Sequence, residues 1–290
     1  MARDKKRKKS KKRNEPVEPT SRPLRDIVEV LDVFAPPALA QDWDNVGLLV
    51  GNLDAPVRSA LLCIDLMPPV VDEAVSAGVE LVVAYHPPLF RPVSRLVFPS
   101  DRMEAGIHRC IRNGIAIYSP HTALDAAPGG TNDVLADLCG VKSTEPLSPI
   151  PQPDGAPTRG IGRVGPLKKP NRLGPLASRL QDKLAKAAGS TCVSFVGDPD
   201  TEVRRAILCV GAAGSLPFEI EVGPGDVIVT GEIRHHDALR TLRAGATAIA
   251  LSHWTSERPT LTSLAKRLVK TLPGLVATVS EADREPFQRA

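Results

Sequence analysis

Residues 252–257, with the sequence SHWTSE, combine side chains that bind metals or transfer protons. They follow an apolar run at 246–251, which predicts a buried strand. His253 and Glu257 are four positions apart, so a helix starting near Thr255 places an imidazole and a carboxylate one turn apart. Such a carboxylate can bridge two metal ions. Alternatively, Glu257 only stabilises the start of the helix electrostatically, and His253 packs at the strand end.

Other side chains of the same kind follow the other predicted strands. Five of the six histidines lie at or just after a predicted strand end, and only His108 is on a predicted helix. In parallel α/β sheets, ligands bind beyond the carboxyl ends of the strands. We therefore expect several of these groups to converge with His253 and Glu257 on one metal site. The further candidates are His86, His121, Asp125 and Glu232. Imidazoles and carboxylates together suit one or two divalent transition metals per chain (Zn, Mn, Fe, Co or Ni) rather than Ca or Mg.

Each of these candidates also has a simpler explanation. His86 precedes two prolines and could be a turn histidine. His121 and Asp125 are predicted to lie in a loop, so their spacing does not fix their geometry. Asp125 could form an Asx turn, and His121 could be a ligand or the partner of one.

Two short motifs remain ambiguous on the same grounds. The pair His235-His236 is equally well explained as the exposed start of a helix. The segment 211–215, GAAGS, could hold a phosphate at a helix N-terminus, although a tight turn explains it more simply.

The order of predicted elements indicates an α/β protein. Short apolar strands alternate with helical patterns along the chain, which predicts two α/β lobes with largely parallel mixed sheets. Residues 143–158 are rich in proline and polar residues and suggest a boundary. We predict a first lobe at 23–145 and a second at 146–245. Residues 246–290 are predicted to form a strand and a helix that return to the first lobe.

The N-terminal residues 1–22 differ in composition from the rest of the chain. They hold ten Lys or Arg and three Asp or Glu, a net charge of +7, whereas the remaining residues have a net charge of −3. Such a segment repels itself and cannot bury apolar surface, so it is predicted to be disordered. It could bind nucleic acid or another polyanion by releasing counterions. A solvated tail without a partner is the alternative.

Deleting residues 1–20 separates these alternatives. If the tail binds polyanions, the deletion weakens RNA binding and flattens its dependence on salt, because fewer phosphate contacts release fewer counterions. Filter binding across a salt series measures both effects. Unchanged binding after the deletion would rule out a nucleic-acid role for the tail.

Composition excludes several other classes of protein. No apolar run is long enough for a membrane span or a secretory signal. The five cysteines form no C-x-x-C pair, which argues against a disulfide framework and against a cysteine-built zinc site. Cys63 and Cys209 lie in apolar runs and are predicted to be core residues. We therefore expect a cytoplasmic, reducing compartment and no membrane contact. A Rossmann nucleotide site is disfavoured because no G-x-G-x-x-G follows the first strand.

Five motifs taken together resemble the Nif-three-like family. They are WDNVGL at 43–48, HPPLF at 86–90, HTALD at 121–125, TGEIRHHD at 230–237 and SHWTSE at 252–257. They occur in family order across residues 24–272, and the chain is similar to the short members that lack an inserted middle domain. Members are often called GTP cyclohydrolase I type 2 homologs or dinuclear metal centre hexameric proteins. The resemblance implies two α/β lobes, a ring-shaped homo-hexamer and a two-metal site inside the ring. It implies His86, Asp125, His253 and Glu257 as metal ligands, with His121 beside them.

The chain departs from this family pattern at two positions. The family usually has a His-His pair before the proline, whereas this chain has Tyr85 followed by His86. A phenol is a poor ligand unless ionised, so the second metal is expected to be weakly held or absent. Ser252 stands where glycine is usual.

Two functions are compatible with these residues. The first is a metal-dependent hydrolase, in which a metal acidifies water for attack on an amide-like or phosphate ester bond. His121 or Glu232 would then move protons. The family name suggests opening of the GTP purine ring. The second is a non-catalytic metal-binding or regulatory ring protein that binds partners or nucleic acid, which Tyr85 and the basic tail favour.

Overall fold

A computed structural model describes residues 20–95, 103–151, 159–188 and 193–288. Residues 1–19 of the predicted tail, 152–158 of the predicted boundary and Cys192 lie outside the described residues. The strands are β1 Arg22–Pro23, β2 Gly47–Val50, β3 Pro56–Val57, β4 Ser59–Cys63, β5 Leu81–Ala84, β6 Ala116–Ser119, β7 Ser148–Ile150, β8 Arg159–Ile161, β9 Arg163–Arg172, β10 Ser194–Val196, β11 Glu202–Ala212, β12 Asp226–Glu232, β13 Thr247–Ala250 and β14 Val276–Val279. The helices are α1 Leu24–Phe34, α2 Pro68–Ala77, α3 Met103–Arg112, α4 His121–Ala126, α5 Thr131–Cys139, α6 Leu173–Ala188, α7 His235–Arg243, α8 His253–Glu257 and α9 Pro259–Thr271, with short 3-10 helices at Pro37–Leu39 and Leu216–Phe218.

Two five-stranded sheets form the framework. The first has the order β14-β4-β5-β6-β2, and only β2 runs antiparallel to its neighbour. The second has the order β10-β13-β12-β11-β9, in which β13, β12 and β11 are parallel and the two edge strands are antiparallel. This arrangement confirms the predicted α/β class with largely parallel mixed sheets.

The apolar strand β5 shows why the first sheet is covered on both faces. All four of its residues are buried. Successive side chains in a strand point to opposite faces. Leu81 and Val83 therefore pack in one core with residues of α1 and α9, whereas Val82 and Ala84 pack in another with residues of α2 and α3.

The division of the chain between the two lobes differs from the predicted boundaries. Helix α5 lies within 23–145, yet its residues Leu135, Ala136 and Cys139 pack in the core of the second sheet. Strand β13 also belongs to the second sheet, so the return to the first lobe starts after this strand, with Trp254 of α8, which packs in the same core as α9. The prediction followed the proline-rich composition, which does not report where the apolar face of α5 is buried.

The predicted tail extends too far at its C-terminal end. The Thr20 amide donates to the Gly274 carbonyl at 3.0 Å, and Arg22 lies in β1, which pairs with β3. Residues 20–22 therefore belong to the folded body. Within the described ranges, no helix combines the length and apolar character needed to cross a membrane. Cys63 and Cys209 are buried, as predicted.

Candidate metal centre

The carboxyl ends of parallel strands from both sheets meet at one place. His86 follows β5 and α4 follows β6, while Glu232 ends β12 and α8 follows β13. The ring centroids of His86 and His121 are 5.2 Å apart, and those of His86 and His253 are 5.4 Å apart. Side chains that are distant in sequence therefore converge, because each follows a strand of a parallel pair.

His86, His253 and Glu257 form the tightest group at this place. One ligand atom from each lies within 4.8 Å of the others. Glu257 is buried, with Oε1 at 3.2 Å from His253 Nε2 and Oε2 at 3.4 Å from His86 Nε2. Oε2 has no hydrogen-bond partner among the described residues. A buried carboxylate oxygen without a donor is costly, and two imidazoles with one carboxylate are a common ligand set for zinc. These three residues could therefore hold a metal ion.

Each histidine at the site uses Nδ1 to bind a carboxylate. Such bonds fix the tautomer and the orientation of the ring, and they direct Nε2 towards a ligand. The partners are Asp65 for His86, Glu232 for His253 and Asp44 for His121, at 2.9, 2.9 and 2.8 Å.

The charges of the group depend on one another. Burial lowers the pKa of His86, but the hydrogen bond to Asp65 and the nearby carboxylate of Glu257 outweigh this and raise the pKa to about 10. The hydrogen bond to Glu257 is the main cause that raises the pKa of His253 to about 9. Burial pushes the pKa of Glu257 up, but the two imidazoles hold it below its usual value. A metal ion entering this site must therefore displace protons from both rings.

These pKa shifts predict how the stability of metal-free protein changes with pH. Both imidazoles have a higher pKa in the folded protein than the usual 6.5, so folding favours their charged forms. Their contribution is complete below about pH 6.5 and is lost as pH rises through about 9 and about 10. Urea unfolding in EDTA across this range should show falling stability. In a Glu257→Gln variant this loss of stability with rising pH should be smaller. Equal slopes of stability against pH in the two proteins would contradict the pairing of Glu257 with the two imidazoles.

Asp125 lies beside this group but outside it. It lines the same cavity as His253 and Glu257, and its carboxylate accepts a hydrogen bond from the hydroxyl of Tyr85. Burial raises the pKa of Asp125 to about 6, opposed by the Tyr85 bond and reinforced by the charge of Glu257. Burial and the charge of Asp125 raise the pKa of Tyr85 far above its usual value. Tyr85 is therefore a neutral phenol, and its hydroxyl donates a hydrogen bond to Asp125.

The prediction that residues 121–125 form a loop was wrong. The segment forms the six-residue helix α4, which places His121 and Asp125 one turn apart. The amide of Thr122 donates to Asp44 at 3.2 Å and its hydroxyl donates to the same carboxylate. So short a helix has no apolar periodicity that could have identified it.

Glycine is required where β11 approaches the site. Gly211 has a φ of +60°, and a Cβ there would lie 2.7 Å from Glu257 Oε1 and 3.1 Å from His253 Nε2. Its amide donates to Ser256 Oγ at 2.9 Å. The segment continues into the 3-10 helix Leu216–Phe218 and not into an α-helix. The structure therefore favours the tight turn over a phosphate-binding helix N-terminus at this motif.

Sequence reasoning missed several residues that support the site. Asp65 follows β4 and would have been found by the same strand-end rule. Asp44 lies in the WDNVGL motif at 43–48 but follows no strand, so the strand-end rule would not have found it. Asn132 is fully buried, donates to the Asp125 carbonyl at 3.1 Å and accepts from the Val210 amide at 3.1 Å, which joins α4 to β11. A lone Asn in a helical segment gives no hint of this role.

The pair His235-His236 lies elsewhere. Both residues are exposed at the start of α7, with ring centroids 5.4 Å apart, and neither belongs to the group around Glu257. The interpretation as an exposed helix start therefore fits the structure.

Ser252 holds a backbone conformation that favours glycine. It has φ 72° and ψ 155°, while its hydroxyl accepts from the Thr255 amide at 3.2 Å and donates to Glu285. A non-glycine residue in this region costs about 1–3 kcal/mol. We expect Ser252→Gly to be more stable than Ser252→Ala by that amount, since both lose the side-chain bonds and only glycine relieves the strain. Urea unfolding of the two variants measures the difference, and a more stable alanine variant would contradict it.

The chain is similar to known proteins in sequence and in fold. A family described as Duf34/NIF3 (NGG1p interacting factor 3) matches residues 23–286. The chain is 34% identical over 266 residues to NIF3-like protein 1 of Drosophila melanogaster, covering 91% of this chain and 88% of that protein. It is 32% identical over 238 residues to a GTP cyclohydrolase 1 type 2 homolog of Streptomyces coelicolor, covering 81% and 82%. A Bacillus cereus protein related to NIF3 has the same fold, with a TM-score of 0.82 at 21% identity over 95% of this chain and 100% of that one.

Proposed function

The chain belongs to the Duf34/NIF3 (NGG1p interacting factor 3) family, and from this premise we propose that it is a metal-dependent hydrolase. His86, His253 and Glu257 would hold one divalent transition metal, with Asp125 beside it. The observation that carries the proposal is the buried Oε2 of Glu257, which has no hydrogen-bond donor among the described residues. A cation would compensate it, and the two flanking imidazoles are suitable additional ligands.

The proposed ligand set is suited to hydrolysis. A metal held by three protein ligands keeps a position for water or substrate, and it supplies Lewis acidity that lowers the pKa of that water. The chain contributes orientation. Asp65 and Glu232 hold the Nδ1 atoms of His86 and His253, so their Nε2 atoms face Glu257. Loss of such an orienting partner typically weakens metal binding by about 10–100-fold.

His121 is the best candidate for moving a proton. Its Nδ1 is bound to Asp44, which leaves Nε2 to accept or donate a proton, and its ring lines the cavity next to Glu257. Glu232 was the other residue expected to shuttle protons. Because it binds His253 Nδ1 at 2.9 Å, we instead propose that it orients this ring.

The bond that is cleaved is proposed from the chemistry of the site and the names of relatives. The site suits an amide-like or phosphate ester bond, in which a metal stabilises charge on oxygen. The relative from Streptomyces coelicolor is called a GTP cyclohydrolase 1 type 2 homolog, which makes GTP a substrate to test.

The test is product release from three substrates with added Mn²⁺ or Zn²⁺. They are GTP, bis(p-nitrophenyl) phosphate and an amino-acid p-nitroanilide. We expect turnover of at least one by the wild type, and loss of it in His253→Ala. The matched control is His235→Ala, which removes an exposed histidine from the start of α7. Equal rates in wild type and His253→Ala would refute the proposed hydrolase.

A second candidate function is a non-catalytic metal-binding or regulatory protein. It is favoured by Tyr85, which binds Asp125 with a neutral hydroxyl where the family resemblance implies an imidazole. In this case the chain binds metal without turnover of any of the three substrates. Loss of RNA binding on deletion of residues 1–20 would then support a role in binding nucleic acid.

We further propose that the chain assembles as a homo-hexamer, as the family resemblance implies. Several large apolar side chains are exposed in the single chain, including Val33, Met67 and Phe287 at 75%, 51% and 77% exposure. Such surface is often covered by other chains. Native mass spectrometry should give six times the chain mass of 30.9 kDa, together with the number of metal ions.

A further inference from the structure

A cavity of about 400 Å³ opens beside the candidate metal ligands. Trp43, His121 and Asp125 lie on its first-lobe side, and Gly211, Leu216 and Glu219 lie on its second-lobe side. We propose that this cavity binds a neutral or cationic substrate group with a flat apolar face, and that it disfavours anionic groups. The inference rests on the proposed function and narrows its substrate class from amides and phosphate esters to amine-bearing or amide compounds, which makes the p-nitroanilide the favoured one of the three substrates and GTP a disfavoured one.

The first argument is the sign of the charges around the cavity. Among the described residues, no Lys or Arg contributes to its lining. Arg163 and Arg258 are buried, but they bind Asp133 and Asp283. The surrounding acids are Asp125, Glu219 and Glu257 in the lining and Asp44, Asp65 and Glu232 behind the three histidines.

These six acids carry more negative charge than one or two divalent cations can neutralise. If Asp125 is protonated, the other five carboxylates still carry more negative charge than the two or four positive charges of one or two ions. A substrate group with negative charge would meet uncompensated like charge, whereas a cation or a neutral amide would not. Charged groups that line a cleft with one sign select ligands of the opposite sign.

The second argument is the aromatic rim. Trp43 is 60% exposed although it lines the cavity. Its ring meets those of Phe90 and His121 at centroid distances of 5.9 Å and at angles of 51° and 73°, so neither neighbour is stacked parallel to it. The exposed part of an indole attracts flat rings and cations. The negative charge around the cavity and the exposed Trp43 ring at its rim therefore favour the same class of ligand.

The third argument is the position of Glu219. It is exposed at the end of the 3-10 helix Leu216–Phe218, on the side of the cavity that the second lobe supplies. It is a surface acid and not one of the three proposed metal ligands. An ammonium or amidinium group held against Trp43 could therefore interact with Glu219 without displacing the metal.

Three probes with one phenyl ring test this inference on the full chain loaded with Zn²⁺. Benzamidine is cationic, benzyl alcohol is neutral and benzenesulfonate is anionic, and none contains a hydrolysable ester or amide. Isothermal titration calorimetry should give the tightest binding for benzamidine and the weakest for benzenesulfonate. Trp43→Ala should weaken benzamidine binding by roughly 3- to 30-fold, and Trp43→Phe should restore most of it. Glu219→Gln should weaken benzamidine by roughly 2- to 5-fold and leave benzyl alcohol unchanged.

The control for Glu219→Gln is Glu202→Gln, which changes an exposed acid paired with Arg204. The inference is overturned if benzenesulfonate binds as tightly as benzamidine. It is also overturned if benzamidine shows no binding at millimolar concentration, or if Trp43→Ala leaves its affinity unchanged. Because these probes report binding alone, the expected order with no turnover of GTP, phosphodiester or anilide would refute the hydrolase and keep the cavity assignment.

Discussion

Replacing Glu257 by Gln will abolish tight metal binding, with an expected rise in Kd of more than about 100-fold. The change preserves size but removes the charge that lies within 3.4 Å of both imidazoles. Loss of an orienting partner already costs about 10–100-fold, and Glu257 is proposed as a ligand itself. Its buried Oε2 has no hydrogen-bond donor among the described residues, so an amide there would neither compensate a cation nor gain a partner.

Thermal unfolding with and without Zn²⁺ measures this effect. A metal at 100 times its Kd stabilises a folded protein by about 2.7 kcal/mol, which corresponds to a rise in Tm of about 5–10 °C for a chain of this size. We expect this rise in wild type and no rise in Glu257→Gln. The variant should still fold, because Asp65 and Glu232 still bind the Nδ1 atoms of the two imidazoles and the substitution preserves the size of the side chain.

A matched control is needed because zinc binds weakly to many surface acids. Glu202→Gln removes an exposed carboxylate that pairs with Arg204, and it should keep the full metal-dependent rise in Tm. A normal rise in Glu257→Gln would show that zinc binds elsewhere. The assignment of His86, His253 and Glu257 as ligands would then be wrong.

Replacing Tyr85 by His is expected to raise the metal content from the one ion per chain that we propose to two. Tyr85 is fully buried and its hydroxyl donates to Asp125. Because burial holds its pKa far above the usual value, the phenol stays neutral and is a poor ligand. An imidazole at this position would offer a neutral nitrogen next to Asp125 and the buried carboxylate of Glu257. Together these groups could hold a second ion.

Metal analysis by inductively coupled plasma mass spectrometry, after dialysis at low free metal, gives the count. Tyr85→Phe is the control, because it keeps the ring and removes only the hydroxyl, so its count should stay at one. A count of two in the wild type would show that the phenol does not prevent a second ion. A count of two in Tyr85→Phe would show that the hydroxyl itself blocks the second ion.

Local rules predicted the framework well. Apolar runs such as 81–84 and 246–251 contain strands, because a strand buried on both faces must be apolar throughout. Since the carboxyl ends of parallel strands lie at one edge, the rule that places chemistry there brought His86, His253 and Glu257 to one place. The rule depends only on chain direction and on the sheet being parallel, and both follow from the order of elements.

Local rules failed where a role depends on partners from distant segments. Helix α4 was mistaken for a loop, because six residues carry no periodic signal. Helix α5 was placed in the first lobe, although its apolar face is buried in the second. The bonds from Asp44, Asp65 and Asn132 join segments far apart in the chain, so no spacing could reveal all of them.

The amino-acid sequence by itself determined the α/β class, apolar strands such as β5 and β13, and the identity of the residues at their ends, because these depend on local apolar patterning and side-chain chemistry. Only the tertiary structure decided which of those residues meet. It grouped Glu257 with two imidazoles, placed Asp125 in contact with Tyr85 and gave His86, His121 and His253 a carboxylate partner each. The reason is that ligand geometry is fixed by how two sheets approach each other, and that packing involves the whole chain.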